Sequence, residues 1–198
     1  MVQHHTHYYT ANPTSPLRPR ELTATLRGRT LKFITGSATF SPKRIDLGTE
    51  LLIEESIVES GWEVLDLGCG YGPVGVALAK IAKVTMTDIN ERAVQLAKEN
   101  AKLNGVFVEA ISGNVYEAVK DKKFDTILLN PPQSAGKQLC FQMIIAAKEH
   151  LKKEGLLQIV ARQQKGGKSL AEKMQETFGN MKIIGRGSGY TIYVSKNE

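Results

Sequence analysis

Val64-Leu65-Asp66-Leu67-Gly68-Cys69-Gly70-Tyr71-Gly72-Pro73 decides how the rest of this chain is read. A short buried strand runs into a turn with glycine at every second position. Proline follows where a helix tolerates it, because a first-turn N–H has no intrahelical partner to lose. The glycines permit a tight turn and a close approach of the backbone to a ligand. Outward from this unit, strands and helices alternate. Pro73 to Ala82 reads as a helix and Val84 to Asp88 as the second strand. Asn90 caps a helix through Leu103, with Ala93, Leu96, Ala97 and Ala101 on one face and Asn104-Gly105 as its stop. Val106 to Ile111, Phe124 to Leu129 and Leu156 to Val160 read as further strands, Lys137 to Leu151 and Ser169 to Phe178 as helices. Met181 to Ile184 and Tyr190 to Val194 read as two closing strands. Such a series predicts an α/β fold, a Rossmann-like doubly wound and mostly parallel sheet with helices on both faces. Its ligand site belongs at the carboxyl ends of the strands.

Upstream of the glycine loop the pattern differs. Residues 1–20 hold three of the seven prolines and read as a flexible arm that includes His4, His5 and His7. Glu21 to Gly36 alternates apolar and polar residues around a break at Arg27-Gly28-Arg29, which predicts a β-hairpin. Phe40-Ser41-Pro42 is a turn and Asp46 to Ser56 a short helix. The expected organisation is therefore the arm, then one domain over 21–198, in which 21–45 is a hairpin extension and 46–198 the Rossmann-like core. The net charge of +6 lies wholly in the first 45 residues: Arg18, Arg20, Arg27, Arg29, Lys32, Lys43 and Arg44 face Glu21 alone, and the remainder is balanced. A local basic excess fits a nucleic-acid partner and also fits a plain solvated face. No apolar run reaches the ~20 residues of a membrane span, and the start of the chain has no apolar signal region. Cys69 and Cys140 lack metal-ligand spacing, so no metal is expected, and a reducing cytoplasm is the expected compartment.

Three acidic or amide side chains fall at successive strand ends. Asp66 precedes the glycine loop, where a carboxylate suits a ligand bearing positive charge or amines better than a pyrophosphate. S-adenosylmethionine, with its ammonium and sulfonium, fits. Asp88 can take both hydroxyls of a ribose, and Asn114 stands where it can meet the adenine edge. Each also has a plainer role, as a cap or a turn former. The fourth strand ends in Asn130-Pro131-Pro132, a stiff turn rich in acceptors and poor in donors. That chemistry suits a substrate offering N–H groups.

Asp66-x-Gly68-x-Gly70-x-Gly72, Asp88 and Asn130-Pro131-Pro132 together resemble the motifs of class I S-adenosylmethionine-dependent methyltransferases. Phe40-Ser41-Pro42, Asp46-Leu47-Gly48-Thr49 and Leu51-Leu52 resemble the guanine-N2 methyltransferases of small-subunit ribosomal RNA. Gly136-Lys137, Gln163-Gln164-Lys165-Gly166 and Gly187-Ser188-Gly189-Tyr190 resemble a compact archaeal-type branch of that group. The resemblance spans roughly residues 20–195. It implies the methyltransferase-type sheet with an antiparallel C-terminal strand. It implies catalytic Asn130, Pro131 and Pro132, and cofactor contacts at Thr49, Asp66, Gly68, Cys69, Gly70, Gly72, Asp88, Ile89, Asn114 and Asn130.

For the substrate, Phe40 offers a stacking face and Gln133 an amide for a base edge, Gln163 follows the fifth strand where it can face the substrate, and Arg27, Arg29, Lys32, Lys43 and Arg44 are candidates for phosphates. In relatives that act on adenine or on a protein glutamine, an aromatic residue follows Asn-Pro-Pro; here Gln133 does. The expected activity is methylation of an exocyclic base nitrogen in RNA, guanine N2 of ribosomal RNA foremost. Competing readings are a protein glutamine-amide methyltransferase, a tRNA or DNA adenine-N6 methyltransferase, and a catalytically idle S-adenosylmethionine-binding module that only binds RNA. A monomer or weak dimer is expected.

Overall fold

The computed structural model describes residues 16–37 and 39–198. Nine strands and five α-helices follow one another along them: β1 (Arg20–Leu26), β2 (Arg29–Thr35), α1 (Leu47–Glu55), β3 (Glu63–Leu67), α2 (Pro73–Leu78), β4 (Lys83–Asp88), α3 (Glu91–Leu103), β5 (Glu109–Ser112), β6 (Phe124–Leu129), α4 (Lys137–His150), β7 (Leu151–Arg162), α5 (Lys168–Phe178), β8 (Lys182–Gly187) and β9 (Tyr190–Lys196). The main sheet has the order β5-β4-β3-β6-β7-β9-β8. Its neighbours pair in parallel as far as β7, and β9 runs antiparallel to both β7 and β8. This is the expected Rossmann-like methyltransferase sheet, with its strand order reversing beside β3, where βαβ folds open a ligand crevice.

Apolar continuity makes β3 and β6 central. Val64, Leu65, Leu67, Ile127, Leu128 and Leu129 are essentially fully buried, as strands covered on both faces should be. Their alternate side chains feed two separate clusters. Val64 and Leu128 pack with the α1, α2 and α3 side, and Leu65, Leu67, Ile127 and Leu129 with the α4 and α5 side.

The hairpin is fastened to the core by more than hydrophobic contact. Leu31 and Phe33 are buried, and Phe33 meets Tyr71 edge to face with ring centroids 6.1 Å apart. Along the outer edge of β2, Asn100 of α3 and Asn104 at its C-cap, one turn apart, pair with the backbone as a further strand would. Asn100 accepts from Ile34 N at 2.7 Å and donates to Ile34 O at 2.8 Å. Asn104 accepts from Lys32 N at 3.0 Å and donates to Lys32 O at 2.6 Å. An open edge is thereby closed from within the chain.

Several boundaries differ from the sequence expectation. α2 stops at Leu78, four residues early, because Ile81 and Ala82 both donate to the Leu78 carbonyl and turn the chain into β4. The third strand begins at Glu109 instead of Val106, since Val106 N donates back to Ala101 O and closes the end of α3. β7 starts at Leu151 directly after α4 and reaches Arg162, with an irregular register against Phe124 and Thr126. The expected arm ends before residue 20: Arg20 already pairs with Thr35, Arg18 N donates to Ser37 Oγ, and Ser37 Oγ donates to Pro16 O. The earlier part of that arm, with His4, His5 and His7, lies outside the described residues. Among the described residues no helix is long and apolar enough to cross a membrane, and no acidic, histidine or cysteine cluster could hold a metal ion.

Candidate active site

The carboxyl ends of β3, β4, β5 and β6 open onto one cavity of about 270 Å³. Its floor is the glycine loop. Gly68, Gly70 and Gly72 have φ of 74°, 56° and 88°, a region that costs a side-chain-bearing residue strain. A Cβ at Gly68 or Gly70 would meet nothing within 4 Å, so the bare backbone of both faces open space. The loop is tied across to β4: Gly68 N and Cys69 N both donate to Thr87 O, and Gly70 N donates to Asp88 Oδ2 at 2.8 Å. Asp88 Oδ1 accepts from Asn90 N at 2.8 Å, and Asn90 in turn caps α3 through Arg92 N and Ala93 N.

Burial governs the electrostatics here. Asp66 is 3% exposed, and one of its oxygens accepts from Gly75 N in α2. Removal from water pushes its carboxyl up to about 7, against the lowering effect of that hydrogen bond. Asp88 is raised as well, again by burial first, with the N–H groups of Asn90 and Gly70 opposing. The Cys69 thiol is driven well above its ordinary value by burial and by the two neighbouring carboxylates, which leaves it an inert wall residue. Thr87 Oγ1 lines the same cavity, is buried, and finds no partner among the described residues.

A second wall is formed by Asn130-Pro131-Pro132 and the amino end of α1. Asp46 caps α1, its Oδ2 accepting from Gly48 N at 2.9 Å and Thr49 N at 3.2 Å. Asn130 Nδ2 donates to Thr49 Oγ1 at 3.0 Å and to Asp46 Oδ2 at 3.3 Å. Pro131 O is already used by Gln133 N at 2.8 Å, which closes the turn.

Most of the residues expected from the sequence are gathered here. Thr49, Asp66, Gly68, Cys69, Gly70, Asp88, Ile89, Asn114, Asn130, Pro131, Pro132 and Phe40 all line the cavity. Gly72 does not; its Cβ would collide with Ala97 at 3.0 Å, so it serves the packing of loop on α3. Gln133 is engaged elsewhere, donating to Lys165 O at 2.7 Å, and Gln163 donates to Thr191 Oγ1. Both amides pin the β7–α5 loop, which corrects the placement of Gln133 at a base edge and of Gln163 toward the substrate. Arg27 is corrected too. Its guanidinium donates to Ile53 O and Ser56 O at the carboxyl end of α1, so it closes a helix end instead of facing a phosphate. Arg29 is half-buried and its Nη1 finds no partner among the described residues, while Lys32, Lys43 and Arg44 are exposed away from the cavity lining. Sequence reading overlooked Asp46 as part of the site, together with Tyr190 and Arg162. Tyr190 OH donates to Asp46 Oδ1 and accepts from Arg162 Nε; no local pattern announces a contact across 144 residues.

The methyltransferase small domain family matches residues 30–194. The chain belongs to that family, S-adenosylmethionine-dependent methyltransferases built on this Rossmann-like sheet. It is 38% identical to the uncharacterized protein YbxB of Bacillus subtilis, over 96% of this chain and 98% of the other. It is 33% identical to ribosomal RNA small subunit methyltransferase C of Haemophilus influenzae, over 80% of this chain and 49% of that protein. The chain thus spans about half the length of the ribosomal RNA methyltransferases it matches. A structure of the Thermus thermophilus 16S rRNA N2 G1207 methyltransferase, solved with AdoMet and guanosine, superposes on 94% of this chain and 52% of its own, with a TM-score of 0.83 at 24% identity. That likeness is one of fold.

The cavity suits the cofactor chemically. Two glycines leave the backbone open to it, Asp88 retains acceptor capacity beyond the N–H groups of Gly70, Ile89 and Asn90, and the buried Asp66 carboxylate would be compensated by a cation.

Proposed function

We propose that this protein methylates an exocyclic base amine in RNA, with guanine N2 of small-subunit ribosomal RNA as the foremost target. The observation that carries the reading is the joining of two chemistries in one cavity. The glycine loop, Asp66 and Asp88 form one wall, and the acceptor turn Asn130-Pro131-Pro132 at the neighbouring strand end forms another. Bound against the first wall, S-adenosylmethionine supplies an electrophilic methyl group.

The chain's own task is to make a poor nucleophile ready. An exocyclic amine delocalises its lone pair into the base. Acceptors that take its N–H bonds free that lone pair for attack. Asn130 is suited to this, since its amide nitrogen is committed to Thr49 and Asp46 and its oxygen takes no hydrogen bond among the described residues. We assign the second N–H to the Pro131 carbonyl, whose second lone pair remains after Gln133 N. Pro132 stiffens the turn. Positioning of this kind can supply ~7–11 kcal/mol of a barrier. The nitrogen–methyl bond forms as the sulfur–methyl bond breaks, and the amine sheds a proton to water once it has become cationic. Thr49, Asp66, Gly68, Cys69, Gly70, Asp88, Ile89 and Asn114 are proposed to hold the cofactor, and Phe40, half-buried in the cavity lining, to stack on the base.

RNA is favoured over a protein amide by the basic excess and by the names of the relatives that match. Transfer of tritiated methyl from S-adenosylmethionine onto separated rRNA, tRNA and protein fractions, followed by nucleoside analysis, tests it. N2-methylguanosine in the rRNA fraction is the expected product. Label in protein alone, or in none of them, would contradict it.

A further inference from the structure

Asn130 can offer a ligand either end of its amide, and only one end is useful. An oxygen turned to the acceptor amine takes its N–H; a nitrogen turned there would compete for its lone pair. Asp46 decides between them. A carboxylate oxygen only accepts, so the Asn130 atom 3.3 Å from Asp46 Oδ2 is the nitrogen, and the oxygen is left for the cavity that Asn130 lines.

Capping α1 explains one oxygen of Asp46 and no more. The other takes the Tyr190 hydroxyl at 2.9 Å, and that hydroxyl accepts from Arg162 Nε at 2.8 Å. The arrangement is tightly fitted. A Cβ at Gly48 would stand 2.5 Å from the Tyr190 ring, so only glycine at the third position of the Asp46-Leu47-Gly48-Thr49 run lets Tyr190 reach Asp46. Arg162 lies with its guanidinium 5.1 Å over the Tyr190 ring. It is exposed, and its two terminal nitrogens have no partner among the described residues. One end of this chain of contacts is therefore the acceptor amide and the other is a free, stacked guanidinium, a group whose fork matches a phosphate.

We propose that Asp46 and Tyr190 are positioning residues that hold the oxygen of Asn130 toward the acceptor amine, and that Arg162 docks a phosphate of the substrate RNA onto the same chain. This rests on the reading of Asn130 given above. It adds a phosphate contact at the end of β7 to those proposed for the basic N-terminal segment.

Three variants test it, each measured with tritiated S-adenosylmethionine on deproteinised small-subunit rRNA. Asp46→Ser keeps a helix-capping oxygen but is too short to reach Asn130 or Tyr190; it should lower kcat about 10²-fold. Tyr190→Phe removes one hydroxyl and should lower kcat about tenfold with KM unchanged. Arg162→Gln should instead raise KM and flatten the salt dependence of RNA binding by about 0.7–0.9 in log–log slope, the loss of one phosphate contact. A readout without turnover accompanies these: the Asn130 side-chain NH2 resonance should move toward its free-amide position in both Asp46→Ser and Tyr190→Phe. Unchanged resonance, or unchanged kcat in folded Tyr190→Phe, overturns the positioning role. An unchanged salt slope in Arg162→Gln overturns the docking role. Absence of RNA methylation by the unaltered protein would instead strike the functional reading itself.

Discussion

The two walls of the cavity are built in different ways. The cofactor wall comes mostly from one stretch, Asp66 to Asn90, with backbone amides of a loop lying against the carboxylate and carbonyl of the next strand, and Asn114 joins it from the end of β5. The acceptor wall joins distant places in the sequence: Asp46 and Asn130 line it, Thr49 stands between the two walls bonded to Asn130, and Tyr190 with Arg162 brace Asp46 from outside the cavity lining. Local geometry holds the first, and side-chain hydrogen bonds across the fold hold the second. The cofactor wall should therefore fail as a unit, with cofactor binding lost first. The acceptor wall should fail by degrees, with turnover lost while binding survives.

Replacing Asp88 attacks the cofactor wall at its centre. Asp88→Ala leaves the N–H groups of Gly70 and Asn90 without their acceptor and removes the proposed ribose contact. At 1–3 kcal/mol per lost charged hydrogen bond, S-adenosylmethionine affinity should fall about 10²-fold or more, as measured by calorimetry.

A second change reaches the site through the hairpin. Asn100 is fully buried and makes three hydrogen bonds, two to Ile34 and one to Tyr71 O. Asn100→Ala should destabilise the protein by roughly 3 kcal/mol, lowering Tm by roughly 6–12 °C. Proteolysis should then open the hairpin first.

Acidity separates the walls more gently. Burial raises Asp66 from 3.8 to about 7 in the folded protein. Between those values the unfolded chain is ionised at this position and the folded one is protonated. The group therefore costs the cofactor-free protein stability progressively as pH rises from about 4 to 7, reaching roughly 4 kcal/mol above 7. Asp66→Asn should remove that dependence in pH-stepped denaturation. A cationic ligand favours the ionised carboxylate, so S-adenosylmethionine binding should tighten as pH rises through 7 and release a proton. Calorimetry in buffers of different ionisation heat detects this.

The smallest effect separates the hairpin's charges from the site. Arg27→Ala should cost about 1–2 kcal/mol of stability through the carboxyl end of α1, with the affinity for rRNA unchanged in a filter-binding assay.

How far the sequence could be read follows the same division. The place of Gly68, Gly70 and Asp88 in the cavity was legible because it follows from spacing along a few residues and from the strand ends they occupy. Asn130-Pro131-Pro132 was legible because two prolines force a turn wherever they stand. The partners that orient Asn130 were not, since Tyr190 reaches Asp46 only when β9 has inserted beside β7. Counting charge located a basic segment correctly and misjudged Arg27, because a count does not see whether a guanidinium is already spent on a helix end. Gln133 and Gln163 were misjudged for the same reason: their amides close the loop after β7. The fold was almost fully legible from periodicity, and its errors fall where a cap or turn cut an element short, at Leu78 and Val106.

The most direct test of the two-wall account is a calorimetric titration of S-adenosylmethionine into Asn130→Ala, read beside methyl transfer by the same preparation. The account predicts wild-type cofactor affinity with transfer reduced by about 10²–10³-fold, as for loss of one aligned polar contact in a transition state. Equal loss of affinity and transfer would place Asn130 in the cofactor wall and contradict the division.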